Sequence, residues 1–290
     1  MKPAPFEYSR PASIDEACAL LAADDGARLI AGGQTLVPLM TMRLARPTRL
    51  IDVARIPELS FVREQAGAIV IGAATRQCVV ENDPLVRAKL PLLAKMMPYI
   101  GHAATRARGT VGGSLANADA AAEIVLAAVT LGATLTYRDG GNTTDIAASD
   151  FFVGPMTTVL PATACLISAR FPVWSGPRVG TGFHEVNARQ SDFAFVSAAA
   201  QIALDADGRC ARVALGIGAA FAVPLRLDAA AAALAGTRGG DAAVRQFVAD
   251  AIGDLEPMAD LHATAAYRRR VAVTLAARAF ADALQIAHAS

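Results

Sequence analysis

Two stretches of this 290-residue chain join a glycine pair directly to a hydroxyl or amide side chain. The first is Ala31-Gly32-Gly33-Gln34-Thr35-Leu36. The second is Arg108-Gly109-Thr110-Val111-Gly112-Gly113-Ser114, which continues to Asp119. A glycine pair allows left-handed or very open dihedrals and close approach of the backbone to a ligand. Successive N–H groups in such a turn form a nest for an anion, most often a phosphate. Two such nests, each joined to a helix, suit a diphosphate held from two sides. Taken singly, Gly32-Gly33 reads equally as a bare strand-to-helix turn, and Gly112-Gly113 as a close crossing of two backbones. Glu123 falls in the first turn of the next helix, where a carboxylate can meet backbone N–H groups or a ligand hydroxyl, or simply complement the helix dipole at the surface.

Other chemistries lack their residues. No Gly-x-Ser-x-Gly elbow supports a serine hydrolase, and Gly32-Gly33 does not supply the Gly-x-Gly-x-x-Gly of a Rossmann site. Neither glycine motif carries the Gly-Lys-Ser/Thr of a P-loop. Cys18, Cys78, Cys165 and Cys210 are far apart and form no Cys-x-x-Cys pair, so no metal site or disulfide framework is expected. Cys165 reads as core packing. Tyr267-Arg268-Arg269-Arg270 reads as a solvated helix face or an interface, because the net charge is only +1 and offers no basic field for nucleic acid.

With 54% hydrophobic and 18% charged residues the chain is globular. The apolar surplus leaves surface for partner subunits to cover. The longest uncharged runs, Ile124 to Tyr137 and Val213 to Leu225, are too short to span a bilayer. The start, Met1-Lys2-Pro3-Ala4-Pro5-Phe6, has no apolar region of a signal peptide. A cytoplasmic location is expected.

The elements that must position the motifs alternate from the start. Ser13-Ile14-Asp15-Glu16 is a capping box opening a helix to about Ala23. Arg28 to Ala31 is a short strand that delivers the first glycine motif at its carboxyl end, where α/β folds bind ligands. A helix over Leu36 to Leu44, with Pro38 in its first turn, and a buried strand Leu50 to Val53 follow. Leu59 to Ala73 reads as a hairpin, Thr75 as the cap of a helix from Arg76, and Pro84 to Met97 as a helical stretch broken at Pro91. Ala120 to Leu131 is an apolar helix, Thr134 to Ile146 a hairpin, and Leu166 to Phe171 a strand. Pro172 to Pro177 is the linker. Beyond it come strands at Gly182 to Asn187, Val196 to Leu204 and Arg212 to Gly218. Helices at Asp228 to Leu234, Asp241 to Ile252 and Ala263 to about His288 complete an α+β unit.

The two glycine stretches resemble the two flavin motifs of the FAD-binding medium subunit of molybdenum hydroxylases, the group of carbon monoxide dehydrogenase and the FAD domain of xanthine dehydrogenase. Val213-Ala214-Leu215-Gly216-Ile217-Gly218, Pro224-Leu225-Arg226 and Tyr267 to Arg270 resemble that family's C-terminal part, so the similarity covers essentially the whole chain. The fold it implies is α+β: a two-lobed FAD-binding domain of the vanillyl-alcohol-oxidase (PCMH) type, then a C-terminal α+β domain with a three-stranded sheet plus helices. The expected boundaries are 1–55 and 56–175 for the two lobes and 178–288 for the C-terminal domain.

The resemblance also implies residues. Gly32, Gly33, Gln34, Thr35 and Leu36 hold the FAD pyrophosphate, and Thr110, Gly112, Gly113 and Ser114 bind it from the other side. Glu123 stands where many relatives have aspartate, and Gln34 where many have histidine. Ile100 and Gly101 lie beside the isoalloxazine ring, with Leu166 and His184 also at the flavin end. His102, next to Gly101, invites a reading as covalent anchor or acid–base group, but the family binds FAD noncovalently, which leaves it a positioning role. The implied work is electron transfer. A large molybdopterin subunit oxidises substrate, a small subunit with two [2Fe–2S] clusters relays electrons, and FAD in this chain passes them to an acceptor. Two such trimers would pair. No catalytic residue and no metal site are expected here, and the four-cysteine insertion that adds a [4Fe–4S] cluster in the benzoyl-CoA reductase-like branch is missing. The rival readings are a stand-alone flavoprotein oxidase of the same fold and a scaffold that has lost FAD.

Overall fold

The computed structural model describes residues 2–176 and 178–290; Met1 and Pro177, at the ends of the N-terminal stretch and the expected linker, lie outside the described residues. The chain opens on a parallel three-stranded sheet. β1 (Glu7–Ser9), β2 (Arg28–Ile30) and β3 (Arg49–Asp52) pair in the order β1-β3-β2. Between β1 and β2 runs α1 (Ile14–Ala22), which starts at the expected cap. Ser13 Oγ accepts from the Glu16 amide at 3.2 Å, and the Glu16 carboxylate accepts from the Ala12 amide at 2.7 Å. After β2, α2 (Leu36–Thr41) takes Pro38 in its first turn and ends before the expected Leu44. The short β1, set close behind two prolines, was not expected from the sequence.

The second unit is an antiparallel sheet wrapped around helices. β4 (Val62–Gln65) and β5 (Ala68–Gly72) form the expected hairpin. Six helices follow: α3 (Gln77–Asn82), α4 (Pro84–Lys89), α5 (Pro91–Met96), α6 (Ala103–Arg108), α7 (Val111–Asn117) and α8 (Glu123–Leu131). The chain then makes β6 (Thr134–Asp139), β7 (Asn142–Ala147), α9 (Ala148–Phe151), a small hairpin of β8 (Phe152–Gly154) and β9 (Thr157–Thr158), and β10 (Ala164–Pro172). The sheet order is β4-β5-β10-β6-β7, with β10 central. All of α8 is buried, which suits its uninterrupted apolar run. It begins three residues later than expected, with Glu123 as its first residue. Thr75 does not cap α3; its hydroxyl bridges the amide and carbonyl of Phe61, both at 3.0 Å.

The C-terminal unit is β11 (Val179–Val186), β12 (Val196–Leu204), β13 (Cys210–Gly218) and a two-residue β14 (Leu225–Arg226), in that order, so a fourth strand joins the expected three. The helices are α10 (Asp228–Leu234), α11 (Asp241–Ile252) and α12 (Ala265–Ala289). Gly180 and Gly182 let α12 lie directly on β11: a Cβ at either would fall 1.9 Å from a carbonyl oxygen, of Ala283 and Ala279 respectively. One arginine of the basic run is not solvated. Arg268 is 3% exposed and donates to the carbonyls of Phe195 (2.8 Å) and Ala219 (2.6 Å) and to Asp260. The core of the second unit continues into this one, because Phe183 and Ala199 pack in the same apolar cluster as α5 and α8.

Candidate functional site

The three parallel strands end at one cavity. Tyr8 of β1, Ile30 of β2 and Asp52 of β3 line a cleft of about 570 Å³ together with Gly32, Gly33, Gln34 and Arg108. This is the carboxyl edge of a parallel sheet, where ligands of such sheets sit. Gly33 has φ +70°, the left-handed turn that turns the chain from β2 into α2. Among the described residues the amides of Gly33, Gln34 and Thr35 donate to no protein acceptor. Gln34 folds its side-chain amide back onto the Gly32 carbonyl at 3.2 Å. Tyr8 donates to Asp52 Oδ2 at 2.5 Å, and that carboxylate beside the phenol raises the Tyr8 pKa above its usual value.

The two glycine motifs meet here. A Cβ on Gly32 would fall 2.5 Å from the Arg108 carbonyl oxygen and 2.8 Å from Gly109 Cα. Only glycine permits that crossing of backbones. The second motif is arranged differently from the expected nest. Gly112 and Gly113 lie in the first turn of α7, capped by Thr110, whose hydroxyl accepts from the Gly113 amide at 3.0 Å. The amides of Val111 and Gly112 donate to the carbonyls of Thr75 (3.1 Å) and Ala73 (2.8 Å). Gly112 is buried so that α7 can press on Ala73, whose Cβ would sit 2.4 Å from an added Cβ. Glycine here serves helix packing, while Gly113 stays exposed and Ser114 half-buried on the outer side.

A second group of expected residues collects further along. Ile100 and Gly101 follow a single 3₁₀ turn, Met97–Tyr99, and Gly101 has φ +46°. Arg106 clamps this segment: Nη1 donates to the carbonyls of Ile100 (3.0 Å) and Gly101 (2.9 Å), while Nε and Nη2 hold Glu81 at 2.8 and 3.0 Å. Tyr99 meets Phe183 of β11 edge-on, with ring centroids 4.8 Å apart. Glu123 opens α8 and is 9% exposed. Burial pushes its pKa up to about 8, Glu185 and Asp119 push the same way, and Arg106 opposes them weakly. Leu166 is buried on β10 beside a break in register. His184 stands apart from this group. Strand alternation turns it away from Phe183 towards α12, where Nε2 lies 3.0 Å from Asp282 Oδ2. His102 is exposed and caps α6 without a side-chain hydrogen bond.

Comparisons with known proteins show the family. Residues 4–174 match the family described as FAD binding domain in molybdopterin dehydrogenase, and residues 181–283 match CO dehydrogenase flavoprotein C-terminal domain. The chain belongs to the FAD-binding medium-subunit family of the molybdenum hydroxylases. It is 32% identical to 6-hydroxypseudooxynicotine dehydrogenase complex subunit alpha of Paenarthrobacter nicotinovorans, over 98% of this chain and 96% of that one. A solved carbon monoxide dehydrogenase from Hydrogenophaga pseudoflava, which lacks the Mo-pyranopterin moiety of its molybdenum cofactor, superposes with a TM-score of 0.94 at 32% identity, covering 98% of this chain and 99% of that one. Quinoline 2-oxidoreductase from Pseudomonas putida 86 gives 0.92 at 34% identity, with 99% of both chains covered. As a medium subunit, this protein is the flavoprotein, electron-transfer component of a molybdenum-containing oxidoreductase.

The residues present fit FAD. A cradle that a Cβ would fill at Gly32, undonated amides at Gly33 to Thr35 and the adjacent Arg108 suit a diphosphate. Sequence reading did not select Tyr8, Asp52, Arg106, Arg108 or Glu185. For Asp52 a signal existed, since an acid closing a parallel strand stands at the ligand edge. For Glu185 none did, because only the strand's facing tells it from His184.

Proposed function

We propose that this chain holds FAD noncovalently along the line from the β1-β3-β2 edge to the Tyr99–Gly101 segment. The observation that carries the reading is the contact of Gly32 with Arg108 and Gly109, which brings the start of the second motif, Arg108, into the cavity that the first motif lines. In this reading Gly32, Gly33, Gln34, Thr35 and Leu36 take the pyrophosphate from one side, and Thr110, Gly112, Gly113 and Ser114 shape its other side. Asp52 and Tyr8 face the adenosine half. Ile100, Gly101, Glu123 and Leu166 border the ring end, while His184, turned to the opposite face of β11 and paired with Asp282, would reach the flavin only by a change of side-chain direction. Bound FAD supplies a two-electron store that takes electrons from iron–sulfur clusters and passes them to a terminal acceptor.

Arg106 keeps the carbonyls of Ile100 and Gly101 fixed, so the ring end is preorganised before any cofactor enters. The buried face of α8 and the Phe183 contact exclude water from the same end. The relatives are parts of complexes by name, one of them a dehydrogenase complex subunit alpha. Accordingly the partners here are a molybdopterin-binding large subunit and a small [2Fe–2S] subunit, assembled as a dimer of heterotrimers in the cytoplasm. Among the described residues no helix is long and apolar enough to cross a membrane. The units act as lobes 1–55 and 56–175 and a C-terminal domain 178–288.

The test is an absorbance spectrum of the purified chain, with its flavin released by heat. Noncovalent FAD at about one per chain is expected. A colourless protein that takes up no added FAD would refute the reading, and co-purification of the two partner subunits separates a medium subunit from a stand-alone oxidase.

A further inference from the structure

β2, α2 and β3 form a parallel crossover unit, with the first glycine motif after the end of β2 and Asp52 at the end of β3. Asp52 is in register with Ile30, two residues before Gly32, at one strand spacing of about 4.8 Å. In the chain it stands about 20 residues beyond Gly32. An acid placed there, on the strand beside a glycine turn, is the group that accepts a ribose hydroxyl in dinucleotide folds. The turn at Gly32-Gly33 lacks the Gly-x-Gly-x-x-Gly fingerprint of those folds, so the likeness lies in placement and not in sequence.

The Asp52 carboxylate is fixed by two donors. Oδ1 accepts from the Ala54 amide at 2.9 Å, and Oδ2 accepts from the Tyr8 hydroxyl at 2.5 Å. Each oxygen keeps a further lone pair. Asp52 is half-buried and lines the cavity of about 570 Å³, so those lone pairs are within reach of a ligand there. The wall of this cavity is thus polar in two opposite senses. The free amides of Gly33, Gln34 and Thr35, with Arg108, offer donors, whereas Asp52 offers an acceptor with negative charge. A phosphate suits the first place and is repelled at the second, where a hydroxyl group fits. Tyr8 is 54% exposed and Val37 44%, and both line the cavity. Exposed aromatic and apolar walls of this kind are what a flat base covers. Among the described residues, none of Ile100, Gly101, Glu123 and Leu166 lines this cavity.

We infer that this cavity is a nucleoside diphosphate site in its own right, where Asp52, steadied by Tyr8, accepts the ribose hydroxyls and selects against a phosphorylated ribose. The place of the diphosphate rests on the proposed reading of the first glycine motif; the acceptor at Asp52 does not. ADP, which carries no flavin, occupies the cavity and competes with FAD for the apoprotein. The ribose hydroxyls make charge-assisted hydrogen bonds to Asp52, and removing them lowers affinity by about tenfold or more. A phosphate in their place meets the carboxylate and is rejected.

The test uses the full-length apoprotein with its Asp52→Asn and Tyr8→Phe variants, each checked by circular dichroism for folding. The probes are FAD, ADP, dideoxy-ADP without ribose hydroxyls, and ADP bearing a phosphate on its ribose. Calorimetry gives their affinities, and flavin fluorescence follows displacement of FAD. In the wild type ADP is expected to displace FAD and to bind about tenfold or more tightly than either analogue. Asp52→Asn is expected to lose most of that preference and Tyr8→Phe part of it. A merely structural role would weaken all the nucleotides alike, and an unchanged preference in Asp52→Asn would overturn the assignment. Equal binding of ADP and dideoxy-ADP by the wild type would overturn it too. Bound FAD that ADP does not displace would overturn the nucleotide site and leave the FAD reading standing. ADP bound with the expected preference by a protein that takes up no FAD would uphold the nucleotide site and overturn the cofactor reading.

Discussion

Gly32→Ala tests the crossing on which the site depends. The backbone at Gly32 is not left-handed, so alanine brings no dihedral strain, and its effect is steric alone. The new methyl would lie 2.5 Å from the Arg108 carbonyl oxygen and 2.8 Å from Gly109 Cα, both main-chain atoms with no rotamer to escape into. Ordinary contact begins near 3.4 Å, so the two motifs must part by about 0.9 Å. Overpacking of that kind costs about 1–3 kcal/mol. If the loss falls on binding, FAD affinity drops by about 5- to 150-fold at 1.4 kcal/mol per decade. If it falls on the fold, each kcal/mol lowers Tm by about 2–4 °C. Fluorescence titration with FAD and a thermal melt of the apoprotein measure the two parts. Gly141→Ala is the control, since nothing lies within 4 Å of its added Cβ and its φ is not left-handed. A Gly32→Ala protein with wild-type FAD affinity and wild-type Tm would refute the argument that this crossing holds the site.

Gly33→Val forces φ +70° on a branched residue and crowds Val37 at 3.1 Å; FAD uptake should be lost, as read from the flavin content of the purified protein. Gly182→Ala puts a methyl 1.9 Å from the Ala279 carbonyl oxygen, and should lower the melting temperature by several degrees while the apoprotein that remains folded still binds FAD. Arg106→Met leaves Glu81 and two carbonyls without their donor; a loss of about 2–4 kcal/mol in denaturant unfolding is expected, larger than for the exposed pair partner Asp241→Asn. Glu123 has its pKa raised from 4.5 to about 8, so the folded state binds the proton more tightly than the unfolded one. The contribution of this group to stability is then full below about pH 4.5, is lost as pH rises to about 8 and is gone beyond, by at most about 5 kcal/mol. Glu123→Gln should flatten that decline in melts across the range; an unchanged slope would show that the decline comes from elsewhere.

Local signals made much of the fold readable. The capping box at Ser13, the hairpin turns and the helix broken at Pro91 are set by neighbours in sequence, and each stands where its residues place it. The family resemblance carried the rest of the architecture. What stayed hidden depends on partners distant in sequence. Gly112-Gly113 reads first as an anion nest and only alternatively as a close backbone crossing; the contact of Gly112 with Ala73 follows the alternative, and the helix that Thr110 caps there had no local signal. Arg268 belongs to a charged run, but the carbonyls of Phe195 and Ala219 draw it into the core. β14 is two residues long and exists only because β13 offers its edge. His184 and Glu185 are adjacent, and only the pairing of β11 with β12 and its packing on α12 assigns each its side.

The meeting of Gly32 with Arg108 and Gly109 also orders events during synthesis. The first glycine motif leaves the ribosome well before the chain segment that closes over it. Translation at roughly 5–20 residues per second therefore leaves an interval in which half of the diphosphate cradle exists with an open side. A cofactor cannot be trapped in that interval, and the ring end stays unfinished until β11 has also been made and has packed Phe183 on Tyr99. On the proposed FAD position, cofactor capture thus waits until β11 has been made and packed, and it reports in a single step that both glycine motifs and the C-terminal unit have come together.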